Sequence, residues 1–121
     1  MQVIEGVVIG GNQFGRKMGF PTANIALSEE FEVENGVYTS KVYIEGKEYC
    51  AMTNIGIRPS VDGTRRLLET HIFDFEGDLY GKTLRVELLE KIRDERKFGS
   101  IEELKEQIAK DKETAKLKMK N

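Results

Sequence analysis

The sequence predicts a mainly β fold with about six antiparallel strands followed by one helix, in a barrel-like arrangement. Residues 37–45 and 83–92 both show the two-residue alternation of side chains that is typical of strands. Glycine-containing turns bound these stretches, as at Glu45-Gly46-Lys47. Near Ser100 the spacing of apolar residues changes to that of a helix. One helix after a run of strands is therefore expected.

Six segments are predicted as strands, each bounded by glycine, charged residues or turn signals. The second is short, and the third and fourth form a hairpin around Gly46. The segment between the fourth and fifth strands, Arg58 to Arg66, contains Pro59 and Gly63 and is predicted as a basic loop. The predicted strands are residues 2–9, 23–27, 37–45, 48–57, 67–75 and 83–92.

A helix is predicted over about 101–118. Ser100 is its expected N-cap, and Glu103 three residues later completes a capping box. Lysines crowd the C-terminal end, where they interact favourably with the helix dipole. The stripe expected to face the barrel consists of Ile101, Leu104, Ile108 and Ala115.

Composition favours a single domain over residues 1–121 that can bury a core of its own. The net charge of −2 argues against a general binder of nucleic acid or of a membrane surface. No apolar run approaches the ~20 residues of a membrane span. A single cysteine and an N-terminus without a signal-like apolar core favour the cytoplasm.

The segment 10–24 is the first candidate site, because it combines four glycines with adjacent cations and a polar end. Its backbone N–H groups, together with Arg16 and Lys17, suit a polyphosphate. Thr22 and Asn24 offer oxygen ligands of the kind that Mg²⁺ prefers. The alternative is an ordinary glycine-rich turn with solvated cations. Neither the Walker loop nor the Rossmann fingerprint occurs here.

Glu69 is the second candidate, because on a strand it shares a face with His71 and two phenylalanines. Burial of a carboxylate there would raise its pKa and make it a better proton acceptor. The alternative is a surface glutamate paired with Arg65, Arg66 or His71. For His71 itself we expect a structural role, either orienting Glu69 or packing with Tyr80.

With these segments identified, the chain closely resembles the riboflavin kinase family. The resemblance runs in order from near residue 5 to past residue 111. Its most specific elements are the Gly19-Phe20-Pro21-Thr22-Ala23-Asn24 piece and the Glu69-Thr70-His71 strand. The matching pieces are residues 15–24, 35–38, 53–59, 68–75, 78–82, 92–93 and 97–100.

The resemblance implies a six-stranded antiparallel Greek-key β-barrel with a C-terminal helix. It also implies transfer of the γ-phosphoryl group of ATP to the 5′-hydroxyl of riboflavin, giving FMN and ADP. Mg²⁺ would be the cofactor, and many bacterial relatives carry an N-terminal FAD synthetase domain. This chain is then either a stand-alone kinase or an excised C-terminal domain.

Carried over position by position, the resemblance makes Glu69 the base that accepts the hydroxyl proton. Thr22 and Asn24 would hold Mg²⁺ and the phosphates. The remaining nucleotide-side residues would be Gly10, Gly15, Arg16 and Gly19. The flavin-side residues would be Arg58, Arg66, Arg93, Phe98 and Leu104.

Two departures concern the flavin side: Ser60 and Val61 stand where the family usually has threonine and an aromatic residue. They bear on flavin affinity rather than on the class of reaction. Two rival hypotheses stay open at this point: a non-catalytic flavin- or nucleotide-binding barrel, and an oligonucleotide-binding barrel, which the net charge disfavours.

Overall fold

The computed structural model describes residues 2–10, 19–28 and 30–120. The predicted nucleotide-side residues Gly15 and Arg16 lie outside the described residues. Six strands and one helix follow one another in the order that the sequence predicts. They are β1 (Gln2–Val7), β2 (Ala23–Leu27), β3 (Gly36–Ile44), β4 (Lys47–Ser60), β5 (Gly63–Ile72), β6 (Thr83–Arg93) and α1 (Ile101–Lys118).

The predicted basic loop from Arg58 to Arg66 is wrong. Both flanking strands continue through it, and Arg58 pairs with Arg65 while Pro59 pairs with Thr64. Only two residues, 61 and 62, form the turn between the strands. A proline is tolerated where a strand leaves the body of a sheet, since its missing N–H breaks no central ladder.

The fifth strand also ends earlier than predicted, at Ile72 rather than at Phe75. Asp74 adopts a left-handed φ of 57°, which turns the chain away from the sheet. Phe75 therefore does not share a strand face with Glu69.

All strand pairs are antiparallel, and the spatial order is β1-β6-β3-β4-β5-β2. Strands β3, β4 and β5 are consecutive neighbours, and β6 returns beside β3, which is the Greek-key arrangement. The two edge strands approach each other beyond the end of β1. There Ile9 N–H donates to the Asn24 carbonyl at 2.9 Å, and Asn24 N–H donates to the Gly10 carbonyl at 2.8 Å. The predicted Greek-key barrel is confirmed and is nearly closed.

The barrel interior is mainly aliphatic, with Val42, Ile55, Leu68, Leu84 and Val86 fully buried. Three hydroxyl groups lie within it and bond to one another across three strands. Ser40 and Thr53 are linked at 2.7 Å, and Thr53 donates to Thr70 at 2.9 Å. These bonds satisfy polar groups that would otherwise be costly in an apolar core.

The helix begins as the capping box predicts, with one difference. Ser100 Oγ accepts a hydrogen bond from Glu103 N–H at 3.2 Å. The Glu103 carboxylate accepts at 3.1 Å from Gly99 N–H, one residue before the expected donor. This satisfies N–H groups that have no partner within the helix.

The helix packs on the outside of the barrel, where Ala115 and Ile108 join a second apolar cluster with Met52 and Phe73. The predicted apolar stripe of the helix is wrong at Ile101, because this residue is 52% exposed. Asp111 is instead buried against the sheet. Across the described part of the chain, no helix has the length and apolar character needed to cross a membrane.

Candidate functional site

The predicted base and a predicted metal ligand lie in one row that crosses five strands. Asn24 pairs with Glu69, Glu69 with Asn54, Asn54 with Val37, and Val37 with Arg93. Residues directly opposite one another in antiparallel strands point to the same face. This face is the outer one, because Leu68 and Thr70 on either side of Glu69 point into the barrel.

A cavity of about 340 Å³ lies over this row, below α1 and the segment between β6 and α1. Its apolar wall includes Met52, Phe98, Leu104 and Ile108, and Glu69 contributes a carboxylate. The structure thus brings together six of the residues predicted for the site. They are Thr22, Arg58, Glu69, Arg93, Phe98 and Leu104.

A second cavity of about 300 Å³ lies at the end of the barrel where β1 approaches β2. Gly10, Pro21 and Thr22 line one side of it, and the turn around Asp78 lines another. Thr22 lines both cavities. A group held by Thr22 would therefore be accessible from two separate binding spaces.

Thr22 and Asn24 present two oxygens that are close together. Thr22 Oγ1 donates to Asn24 Oδ1 at 3.0 Å. Two cis ligands of an octahedral Mg²⁺, each at ~2.1 Å from the metal, are also about 3.0 Å apart. The spacing and chemistry of this pair therefore fit the predicted cation. No group of three or more His, Cys, Asp or Glu side chains arranged to hold a metal occurs among the described residues.

Glu69 is buried, with 6% of its surface exposed. Its ionic partner is Arg58, not the Arg65, Arg66 or His71 that the sequence offered as alternatives. Arg58 Nε and Nη2 both donate to Glu69 Oε1, at 2.9 and 2.8 Å. Arg58 Nη1 donates to Glu95 Oε1 at 2.8 Å. Burial alone lowers the pKa of the Arg58 guanidinium, but the two carboxylates outweigh it and the pKa lies above its usual value. The Arg58 guanidinium is thus fully charged at neutral pH.

Arg93 lines the cavity but is committed to a buried partner on the helix. Its Nε donates to both oxygens of Asp111, at 3.0 and 3.1 Å, and its Nη2 donates at 2.8 Å. The guanidinium also lies 5.8 Å from the centre of the Phe98 ring. Arg93 therefore fixes α1 and Phe98 against the sheet and shapes the cavity wall. A buried Asp–Arg pair of this kind is strongly orienting, since either charge alone would be costly.

Arg66 does not line this cavity, which corrects its predicted place on the flavin side. Its Nε donates to Asn35 Oδ1 at 3.0 Å, and its Nη1 donates to the Phe31 carbonyl at 2.6 Å. Its Nη2 donates to the Val33 carbonyl. Arg66 thus holds the 31–35 segment against β5 and does not line the candidate site.

His71 lies two residues from Glu69 and connects to the other half of the site. Its Nδ1–H donates to the Pro21 carbonyl at 2.7 Å, and Phe20 and Phe73 pack edge-on against its ring. Burial lowers the pKa of the imidazole, and the nearby lysines of α1 lower it further. His71 therefore anchors the residue before Thr22. The expected packing with Tyr80 is not among the ring contacts of the described residues.

The two described glycines of the nucleotide side both have a left-handed φ, 149° at Gly10 and 89° at Gly19. Glycine is favoured at such positions because it has no Cβ. Gly10 lines the second cavity, whereas Gly19 lines neither of the two.

Sequence reasoning missed Glu95, Asn54 and Asp111, all of which line the first cavity. Nothing in the local sequence around Glu95 or Asp111 distinguishes them from the many other acidic residues. Asn54 had a usable signal, since it lies in the predicted fourth strand opposite the predicted fifth.

Comparison with known proteins agrees with this geometry. The chain is 48% identical over 114 residues to a bifunctional riboflavin kinase/FMN adenylyltransferase of Haemophilus influenzae. That match covers 93% of this chain and 37% of the relative. The chain thus spans little more than a third of the length of the curated relatives that it matches.

Two solved structures share the fold. One, described as a macrolide-efflux protein from Streptococcus pneumoniae, has a TM-score of 0.83 at 38% identity and covers 94% of this chain and 38% of that one. The riboflavin kinase of Trypanosoma brucei has a TM-score of 0.67 at 24% identity, and the match covers 98% of this chain and 80% of that one. The family model described as Flavokinase: Riboflavin kinase matches residues 2–119, and the chain therefore belongs to the riboflavin kinase family.

Proposed function

We propose that this chain transfers the γ-phosphoryl group of ATP to the 5′-hydroxyl of riboflavin, producing FMN and ADP. The observation that carries the proposal is the position of Thr22, which lines both cavities, while Glu69 lines one of them. A phosphoryl transfer needs a donor and an acceptor in separate spaces that meet at one point.

The nucleotide belongs in the cavity lined by Gly10 and Thr22, and riboflavin belongs in the cavity under α1. The cavity under α1 is the more apolar of the two, with Met52, Phe98 and Leu104 in its wall, and suits a flat ring system. Thr22 and Asn24 would hold Mg²⁺, which when bound supplies positive charge to neutralise the phosphates.

The riboflavin hydroxyl oxygen bonds to the γ-phosphorus of ATP while the bond from that phosphorus to the leaving ADP breaks. Glu69 accepts the proton that the hydroxyl releases. In a loose phosphoryl-transfer transition state, a carboxylate mainly orients the hydroxyl and accepts its proton late. A strongly basic group is therefore not needed, and the Arg58 ion pair is compatible with this role. The pair holds Glu69 Oε1 in a fixed place against the sheet.

The test is incubation of the purified chain with riboflavin and Mg-ATP, or separately Mg-CTP, followed by chromatographic detection of FMN. We expect FMN from at least one nucleotide, and a ~10²- to 10⁴-fold loss of kcat in Glu69→Gln. Turnover by Glu69→Gln at the wild-type rate would show that the base is another residue. Riboflavin binding without FMN from either nucleotide would favour a non-catalytic binding module.

The names of the curated relatives pair a riboflavin kinase with an FMN adenylyltransferase. We extend the proposal to the whole protein: residues 1–121 form its single kinase domain, and an adenylyltransferase domain converts the FMN to FAD in the cytoplasm. Mixing the chain with such a domain and following FAD formation from riboflavin tests this step.

A further inference from the structure

Glu95 lies in the segment between β6 and α1 and contacts the site through Arg58. Its Oε1 accepts a hydrogen bond from Arg58 Nη1 at 2.8 Å, while Nε and Nη2 of the same guanidinium bind Glu69 Oε1. Three charged side chains from three parts of the chain thus form one continuous line. The middle one, Arg58, has no other acidic partner among the described residues.

A glycine in β4 provides the space for the Glu95 carboxylate. A Cβ built on Gly56 would lie 2.0 Å from Glu95 Oε1 and 2.5 Å from Oε2. Gly56 does not have a left-handed φ, so the backbone there would accept any residue. The glycine is required by the carboxylate that lies on it. Gly56 and Arg58 are two residues apart on one strand and therefore face the same side.

We propose that Glu95 is a positioning residue for the phosphoryl transfer. By holding Arg58 Nη1, it makes Arg58 bind Glu69 through a single oxygen and keeps the carboxylate directed at the substrate hydroxyl. This inference rests on the proposed kinase function.

The physical reason lies in the shape of the guanidinium group. An arginine presents a planar fork that pairs with both oxygens of one carboxylate when no second partner competes. Without Glu95, Arg58 has two alternatives. It can rotate onto both oxygens of Glu69, or it can turn toward solvent, since 30% of its side chain is exposed. Either movement displaces the carboxylate, and a shift of ~1 Å at a reacting group can slow a reaction about 100-fold.

The first experiment compares steady-state kinetics of Glu95→Gln and Glu95→Ala with wild type. We expect kcat to fall about tenfold in Glu95→Gln, which keeps an acceptor oxygen, and up to about 100-fold in Glu95→Ala. The Kd of riboflavin, measured by fluorescence, should stay within about twofold because the apolar wall is unchanged. Glu45→Gln is the matched control, since Glu45 pairs with Lys82 outside both cavities.

The second experiment is a double-mutant cycle with Gly56→Ala, measured both as kcat and as the thermal midpoint. Gly56→Ala alone should lower kcat because its methyl group displaces the Glu95 carboxylate. In the Glu95→Ala background the same change should have almost no effect, because the obstructed atoms are gone. The thermal midpoint reports the Gly56–Glu95 contact whether or not the chain is active.

Three results would overturn the inference. Glu95→Ala with wild-type kcat shows that Arg58 needs no support. Equal losses of kcat and of riboflavin affinity show that Glu95 only shapes the cavity. Independent effects of the two substitutions show that the Gly56 contact is absent. Wild-type chain that makes no FMN would instead contradict the proposed function, and the positioning role would fail with it.

Discussion

The inner face of β5 presents Leu68, Thr70 and Ile72 to the barrel core, whereas the outer face presents Glu69 and His71 to the cavity under α1. Both faces are buried. On the inner face, contacts are aliphatic, and the Thr70 hydroxyl accepts a hydrogen bond from Thr53. On the outer face, the contacts are ionic and aromatic.

The outer face of the barrel also holds two polar atoms without hydrogen-bond partners among the described residues, Asn54 Oδ1 on β4 and His71 Nε2 on β5. An unsatisfied buried polar atom costs about 1–3 kcal/mol of stability. The inner face carries no such penalty at Thr70. The difference indicates that the inner face is built for stability, whereas the outer face keeps unsatisfied polar atoms in the lining of the candidate site.

The largest effect on stability is expected from removing side-chain volume on the inner face. Leu68→Ala should lower the free energy of unfolding by about 2–5 kcal/mol, because Leu68 is fully buried and its loss leaves a cavity. The KM of the remaining folded protein for riboflavin should be unchanged. Urea denaturation and steady-state kinetics measure the two quantities.

The control for this prediction is Leu89→Ala on β6, where 37% of the leucine is exposed. We expect a change of about 0.5 kcal/mol or less. Equal destabilisation by the two leucine substitutions would contradict the assignment of the core.

Exchange of His71 tests the outer face without removing much volume. An asparagine amide branches at the same carbon as Nδ1 and can donate to the Pro21 carbonyl, whereas a glutamine amide lies nearer the position of Nε2. We expect His71→Asn to keep about tenfold more kcat/KM for Mg-ATP than His71→Gln, since a group that positions Thr22 acts mainly on the nucleotide. A higher kcat/KM in His71→Gln than in His71→Asn would show that the functional atom is Nε2 and not Nδ1, which binds the Pro21 carbonyl.

The smallest expected effect is a pH dependence of stability. Burial, together with Lys112 and Lys116, lowers the pKa of His71 in the folded state below the ordinary value of 6.5. Just below pH 6.5 the unfolded chain therefore binds more protons than the folded chain, so stability falls as the pH is lowered. The slope from this group is at most about 1.4 kcal/mol per pH unit.

Urea denaturation at pH 7.5 and pH 5.5 measures this slope. His71→Asn should lose less stability over the same interval, because asparagine does not titrate. An identical pH dependence in wild type and variant would show that His71 does not titrate differently in the two states.

Local patterns predicted most of the fold. Alternation identified β3 and β6, Gly46 identified the hairpin between β3 and β4, and Ser100 identified the start of α1. The extent of β4 and β5 could not be predicted in this way. Pro59 and Gly63 are typical of loops, but pairing of Arg58 with Arg65 continues the ladder through them. Tertiary pairing thus overrides a local preference.

The sequence predicted which residues form the candidate site, but not which of them pair with one another. The structure places six of the predicted residues in the lining of one cavity: Thr22, Arg58, Glu69, Arg93, Phe98 and Leu104. Their binding roles stay predictions. The partners of Glu69 and Arg93, which are Arg58 and Asp111, are 11 and 18 residues away in the chain. No spacing rule for strands or helices connects residues at such separations.

The class of fold, the order of its elements and the residue types available for chemistry can all be read from the amino-acid sequence alone. Side-chain alternation, glycine turns and capping are local properties, so a linear pattern carries them. Three contacts became visible only in the folded chain: Arg58 holds Glu69, Glu95 holds Arg58 over Gly56, and Arg66 binds the 31–35 segment. These contacts depend on strand register and on burial, which place distant charges together and exclude the water that would otherwise separate them.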